Sequence, residues 1–299
     1  MTAAAASYGD VTSEYRAARY EAGQVAGLYE LVWFGGPDAV TFLESLISQN
    51  VVDQPPGTVR RSFLLGPRGK FTALMWVLRA DDRVGLLTDA GYGQVLVDTL
   101  GRYRIRVDVT IEPDTRTLTT LIGPESPEVE GWSDDGVLGA GIPLTGNVRS
   151  VTTADSDATT VGSLAWTAVR VESGEPLMGV DIDEGTIPQE SGLVPAAVDF
   201  AKGCYLGQEL VARIDTRGHV NRRLMGIIVT TNVLPPPGAE VVVDDKVVGT
   251  YTSPAESLAL RAPVGLSLVR REVEVGQAVS LRWAGEEAPA AVADLPLVG

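Results

Sequence analysis

Hydrophobic and polar positions follow two different rhythms along this chain, and the rhythm changes after Arg223. Upstream, strand-like and helix-like stretches alternate. LYELVWF (28–34) is a run of β-forming residues. In GPDAVTFLESLIS (36–48) the residues Val40, Phe42, Leu43, Leu46 and Ile47 recur at helical spacing, and Pro37 suits a first helical position. RSFLL (61–65), the turn GPRG (66–69) and FTALMWVL (71–78) read as a hairpin. RVGLLTD (83–89) predicts a strand, YGQVLVDTLGRY (92–103) an amphipathic helix and IRVDVTI (105–111) another strand. The order β-α-β-β-β-α-β is close to a ferredoxin-like unit with one added strand.

The middle of the chain is less regular. TLTTLIG (117–123) predicts a strand, and PESPEVEGW (124–132) a short helix. TGNVRSVTTADSDATTVG (145–162) is polar and reads as loop with short strands, and SLAWTAVRVESG (163–174) has helical spacing and ends on Gly174. Residues 179–200 mix Gly, Pro and acidic residues and read as a long functional loop; GQELVAR (207–213) predicts a short helix. After Arg223 come LMGIIVTT, the breaker LPPPG (234–238) and several period-2 runs without a helix, which predict a small all-β barrel or sandwich.

Composition adds limits. At 299 residues with 44% hydrophobic and 21% charged residues, the chain has the make-up of a soluble protein of two or three packed units. The first residues, MTAAAASYGDVTSEYR, lack the basic and apolar regions of a signal peptide, and no apolar run reaches the roughly 20 residues of a membrane helix. A cytoplasmic protein without membrane contact is expected. The net charge of -15 opposes direct binding of nucleic acid.

The chemistry-bearing residues are few. Cys204 is the only cysteine and His219, fifteen residues on, the only histidine. One thiol and one imidazole cannot complete a zinc tetrahedron, so no metal site is expected. Most single cysteines are packed as small hydrophobes. Here Lys202 lies two residues away, Gly203 and Gly207 flank the site, and a helix is expected to begin at Gly207. An ammonium and a helix N-terminus both favour a thiolate, which points to a reactive group. Arg213, Arg217, His219, Arg222 and Arg223 form a basic set, read either as a solvated face or as a landing site for an anionic tail. Tyr29 and Trp166 are aromatics near loop boundaries, and Glu172 ends a helix. From sequence alone such aromatics are more often core residues than a ligand platform, and a lone glutamate at a helix end is usually a surface residue.

Several stretches together resemble the YgfZ/GcvT-like folate-binding family. They are YGDVTSEYRAAR (8–19), GPDAVTFLESLISQNV (36–51), RVESGEPLMGVDIDEGTIPQE (170–190) and KGCYLGQELVARIDTRGHVNRR (202–223), whose K-G-C-x-x-G-Q-E core resembles the YgfZ branch. The resemblance spans nearly the whole chain. It implies an α+β, GcvT-like fold: ferredoxin-like βαββαβ units, roughly 20–115 and 116–222 within a folate-binding region 1–222, around a central folate cavity, with a C-terminal β-barrel over 223–299. It implies tetrahydrofolate or a one-carbon derivative as ligand. Glu172 would hold the pterin, Tyr29 and Trp166 would stack near it, and Arg213 or Arg223 would meet the glutamyl tail; alanine at Trp166 or Glu172 would then weaken folate binding at least tenfold. Cys204, tuned by Lys202, would be the reactive group.

One departure changes the expected activity. The related glycine-cleavage aminomethyltransferases carry an aspartate after the second hairpin's Gly-Gly turn, where this chain has Thr72 and Ala73. Neither can serve as a carboxylate base. The turn Ser48-Gln49-Asn50 is also altered. The leading expectation is a folate-dependent accessory protein for assembly or repair of Fe–S clusters in client enzymes, tRNA-modifying enzymes among them. A folate-dependent one-carbon transferase and a folate-binding regulatory module are the alternatives.

Overall fold

The computed structural model describes residues 5–142 and 149–299. Residues 145–148 of the predicted loop fall outside the described residues. The chain opens with α1 (Val11–Tyr20), β1 (Gly23–Ala26) and β2 (Tyr29–Gly35). There follow α2 (Ala39–Glu44), β3 (Val59–Leu65), β4 (Phe71–Arg79), β5 (Arg83–Asp89), α3 (Gly93–Gly101) and β6 (Thr110–Pro113). A second group comprises β7 (Thr119–Ile122), β8 (Trp132–Asp134), β9 (Leu138–Gly141), β10 (Arg149–Thr152), β11 (Thr159–Thr160) and α4 (Ser163–Glu172). After a 3₁₀ turn at Pro188–Ser191 come α5 (Val194–Ala197) and α6 (Gln208–Arg217). Six strands close the chain: β12 (Arg222–Val229), β13 (Glu240–Val243), β14 (Lys246–Ser257), β15 (Ala262–Arg270), β16 (Ala278–Trp283) and β17 (Glu286–Ala293).

These form a five-stranded sheet β3-β4-β5-β2-β6, a six-stranded sheet β11-β1-β7-β10-β9-β8, and a closed barrel β12-β15-β14-β13-β16-β17. The continuous apolar run of β2 reflects a strand buried on both faces. Val32 and Phe34 face α2 and α3, while Tyr29, Leu31 and Trp33 face the other way, toward Leu138, Ala140 and Val151 of the six-stranded sheet. On the far side of that sheet, Val25 and Ile122 pack with Tyr15 of α1 and with Trp166 and Val169 of α4. Leu224, Val264 and Leu266 of the barrel join the same cluster. The layers are therefore helices, sheet, sheet, helices, barrel.

Three sequence expectations are revised. The predicted strand at 105–111 is displaced to Thr110–Pro113, where it pairs with β2. Residues 124–132 form no helix, because the chain runs from a turn toward β8 with Trp132 pinned by its backbone N–H to Gly57 O and its indole N–H to Arg79 O. The helix at 36–48 shortens to Ala39–Glu44. No helix among the described residues is long and apolar enough to cross a membrane.

Candidate functional site

Strand alternation explains which side chains meet between the two sheets. Tyr29 on β2 is paired with Asp89 on β5, and Arg61 on β3 with Trp76 on β4, so each pair shares a face. Tyr29 and Trp76 belong to the apolar cluster between the sheets, which also holds Val151; Arg149 lies two residues before Val151 on β10 and so shares its face. The loop after α4 adds Glu175 and Met178.

The contacts are specific. Arg61 grips Glu175 through both terminal nitrogens, at 3.1 and 2.5 Å. Its guanidinium lies over the Trp76 ring at 5.1 Å, and that of Arg149 over the Tyr29 ring at 5.5 Å. Arg149 Nη1 donates to the Tyr29 hydroxyl. Asp89 accepts from the Met178 backbone N–H at 3.2 Å. The cluster is deeply enclosed. Arg149 is 3% exposed, yet its Nε and Nη2, like Nε of Arg61, have no hydrogen-bond partner among the described residues. Buried donors are rarely left this way, and each costs about 1–3 kcal/mol unless something accepts from it.

Electrostatics separate the two carboxylates. Burial works to raise Glu175, but Arg61 and Arg149 outweigh it and hold its carboxyl below the usual range. Asp89 is pushed up to about 6, first by burial and then by Glu175, against the Met178 N–H and the two arginines. Part of its surface nevertheless stays uncovered, unlike that of Glu175. Burial also raises the Tyr29 phenol.

Cys204 occupies a separate place. It is exposed, on the loop before α6. That loop packs on the β3–β4 turn through two glycines with positive φ, Gly69 at +69° and Gly207 at +81°. A Cβ at Gly207 would stand 2.7 Å from Gly66 O, and one at Gly69 would stand 2.6 Å from Leu210 Cβ. Gly203, by contrast, has open space around it. Lys202 takes a different role from the expected one. Its buried ammonium donates to the carbonyls of Ile47 at 2.9 Å and Gln49 at 2.7 Å and lies 3.2 Å from Glu44 Oε1. Burial lowers its pKa, with Glu44 opposing. Lys202 thus fastens the loop to the Ser48-Gln49-Asn50 turn. Lys202→Met is expected to lower stability by about 1–3 kcal/mol by removing the donor to the Ile47 and Gln49 carbonyls, and to speed proteolytic cleavage at 199–207. Unchanged cleavage would show that the anchor is dispensable.

The other expected site residues are dispersed. Tyr29 sits in the cluster between the sheets. Trp166, 5% exposed, is packed between α1, α4 and the barrel instead. The Glu172 carboxylate is fully buried and accepts from the hydroxyls of Tyr15 and Ser257, so it ties α4 to α1 and the barrel and is not presented beside Tyr29. Arg213 is exposed on α6. Arg223 donates to Val273 O and lines an open cleft of about 760 Å³ with His219 and Arg271. Arg222 is paired with Glu190, and the Arg217 side chain lies outside the described residues. The sequence reading missed Arg61, Arg149, Asp89 and Glu175. A charged residue at a core-facing parity of a strand was the available signal for Arg61 and Asp89; Arg149, in a polar stretch, and Glu175, in a loop, carried none.

The arrangement of two sheets face to face, flanked by helices and joined by a six-stranded barrel, is shared with a solved glycine-cleavage aminomethyltransferase. The aminomethyltransferase T of Bartonella henselae superposes with a TM-score of 0.87 over 96% of this chain and 89% of its own, at 21% identity. Residues 222–298 match the glycine cleavage T-protein C-terminal barrel domain. An aminomethyltransferase of Corynebacterium aurimucosum is 25% identical over 97% of this chain and 90% of its own length. The mitochondrial iron-sulfur cluster assembly factor IBA57 homolog of Mycosarcoma maydis is 28% identical over 70% of this chain and 57% of its own. The tRNA-modifying protein YgfZ of Yersinia enterocolitica is 35% identical over 26% of this chain and 24% of its own. The chain thus has the fold of a glycine-cleavage aminomethyltransferase T and carries the T-protein C-terminal barrel domain, and parts of it are similar to a YgfZ protein and to an IBA57 homolog.

Proposed function

We propose that the protein is a folate-binding accessory protein that supports assembly or repair of Fe–S clusters in client enzymes, tRNA-modifying enzymes among them, with Cys204 as its reactive group. In this reading residues 1–222 form the folate-binding region and 223–299 a supporting barrel. The observation that carries it is the exposed thiol of Cys204, on a loop fastened by the Lys202 ammonium and the Gly69–Gly207 contact. The cluster-assembly and YgfZ relatives support the same reading. Folate, as tetrahydrofolate or a one-carbon derivative, would lie between the two sheets. There Tyr29 and Trp76 offer aromatic faces and Arg149 offers unpaired donors. The acidic net charge favours a tRNA link through the modifying enzyme over direct contact.

Deletion of the gene, followed by restoration as wild type or as Cys204→Ala, tests this. Activity of a [4Fe–4S] enzyme should fall on deletion and return only with wild type. Intact cluster enzymes in the deletion strain would remove the accessory reading.

A second reading, a folate-dependent one-carbon transferase, is favoured by the aminomethyltransferase relatives and by one side chain. Thr72 and Ala73 supply no carboxylate, but Asp89 stands on the neighbouring strand, where Thr88 Oγ1 donates to Leu74 O. A carboxyl that titrates near neutral pH is suited to proton transfer.

A further inference from the structure

Of the two carboxylates between the sheets, only one is free to meet a ligand. Both Glu175 oxygens are taken by Arg61, at 2.5 and 3.1 Å. Asp89 uses one oxygen for the Met178 N–H and keeps part of its surface open. Of the two arginines, Arg61 is engaged by Glu175. Arg149 spends one nitrogen on Tyr29 and leaves Nε and Nη2 without a partner, with Nη2 3.9 Å from Glu175 Oε1, too far for a hydrogen bond. The site therefore presents one free acceptor and two free donors beside two aromatic faces. A flat heterocycle whose rim carries N–H donors next to a carbonyl oxygen satisfies both. A pterin has such a rim: 2-amino, N3–H, 4-oxo.

Resting on the reading that folate lies between the sheets, we infer that Asp89 and Arg149 together read the amide rim of the pterin, Asp89 accepting from its N–H groups and Arg149 donating to its carbonyl oxygen. The pair sets specificity. A 2,4-diamino analogue turns an acceptor into a donor against Arg149 and loses the N3–H that Asp89 accepts. Sites built to hydrogen-bond a polar group discriminate strongly against an analogue that lacks it.

The pair also ties binding to pH. The groups around Asp89 are Tyr29 from β2, Arg61 from β3, Arg149 from β10, Glu175 and the Met178 N–H from the loop after α4, and Tyr92 at the start of α3. Burial pushes Asp89 up to about 6 in the free protein, whereas Arg61 and Arg149 hold the Glu175 carboxyl below its usual range. A rim of N–H donors prefers the ionised form, so affinity falls as pH drops below that point.

Isothermal titration of the full chain with 5-formyltetrahydrofolate and with a 2,4-diamino antifolate, at pH 7.5 and 5, tests the pair. Wild type should prefer the 4-oxo ligand by at least about tenfold and bind it more weakly at pH 5. Asp89→Asn, nearly isosteric, should lose at least about tenfold at pH 7.5 and show a flatter pH dependence. Arg149→Gln should lose the preference for the 4-oxo ligand. Arg149→Lys keeps the charge without the planar fork and should fall between. Thermal melts confirm that each variant is folded. Wild-type binding that these substitutions leave unchanged in affinity, preference and pH profile would overturn the inference while the folate reading stands. Absence of 5-formyltetrahydrofolate binding by wild type at either pH would overturn the folate reading and the inference with it.

Discussion

Trp166→Ala is expected to lower stability by about 3–5 kcal/mol, the usual cost of removing a large buried aromatic, and to leave the folate affinity of the folded protein unchanged. The indole is 5% exposed and sits where α4 meets α1, with Leu224, Val264 and Leu266 of the barrel in the same cluster. Its loss opens a cavity in the layer that joins the barrel to the two sheets. Glu172, six residues on, serves the same joint by accepting from Tyr15 and Ser257. This differs from the effect that the family resemblance implies, namely a loss of folate binding. Denaturant unfolding and a ligand titration at low temperature separate the two. Unchanged unfolding together with a tenfold drop in affinity would return Trp166 to the ligand site.

The difference between those expectations shows what a sequence of this kind exposes. Elements with strong periodicity were legible: β2 from its continuous apolar run, α3 and α4 from helical spacing, and the barrel from period-2 runs without helices. The part played by the glycines in KGCYLGQE was half legible. Gly207 needs its positive φ and its close approach to Gly66, but Gly203 needs neither. The interior site was mostly hidden. It is assembled from β2, β3, β4, β5, β10 and a loop, so its members lie up to 149 residues apart, as Tyr29 and Met178 do. Only strand parity links them. Arg61 opens the RSFLL run and Asp89 closes RVGLLTD, each on the face that the neighbouring apolar residues bury. Arg149 lies in a polar stretch with too little pattern for its parity to be read. Lys202 stood out as a neighbour of Cys204, and sequence proximity suggested a contact that its long side chain instead makes with Ile47 and Gln49.

Asp89→Asn is expected to melt higher than wild type at pH 8, by a few degrees, with the difference vanishing near pH 4. An unfolded aspartate ionises near 3.9, whereas folding pushes Asp89 up to about 6. For an acid with a raised folded pKa, the protonated form is the one the fold tolerates. The ionised form therefore begins to cost stability as pH rises above the unfolded value. The cost reaches its full size once pH passes the folded value and stays there. A shift of about two units corresponds to roughly 3 kcal/mol, as an upper figure, since each unit is worth about 1.4 kcal/mol. An amide carries no such cost and can still accept from the Met178 N–H. The variant should thus be more stable at neutral pH while binding folate less well, which is the mark of a group kept for a ligand at the expense of the empty fold. Melting curves of both proteins from pH 4 to 8, without ligand, decide the matter. A variant less stable than wild type at pH 8 would mean that the carboxylate is held by structural partners, and that its place between the sheets serves packing and not recognition.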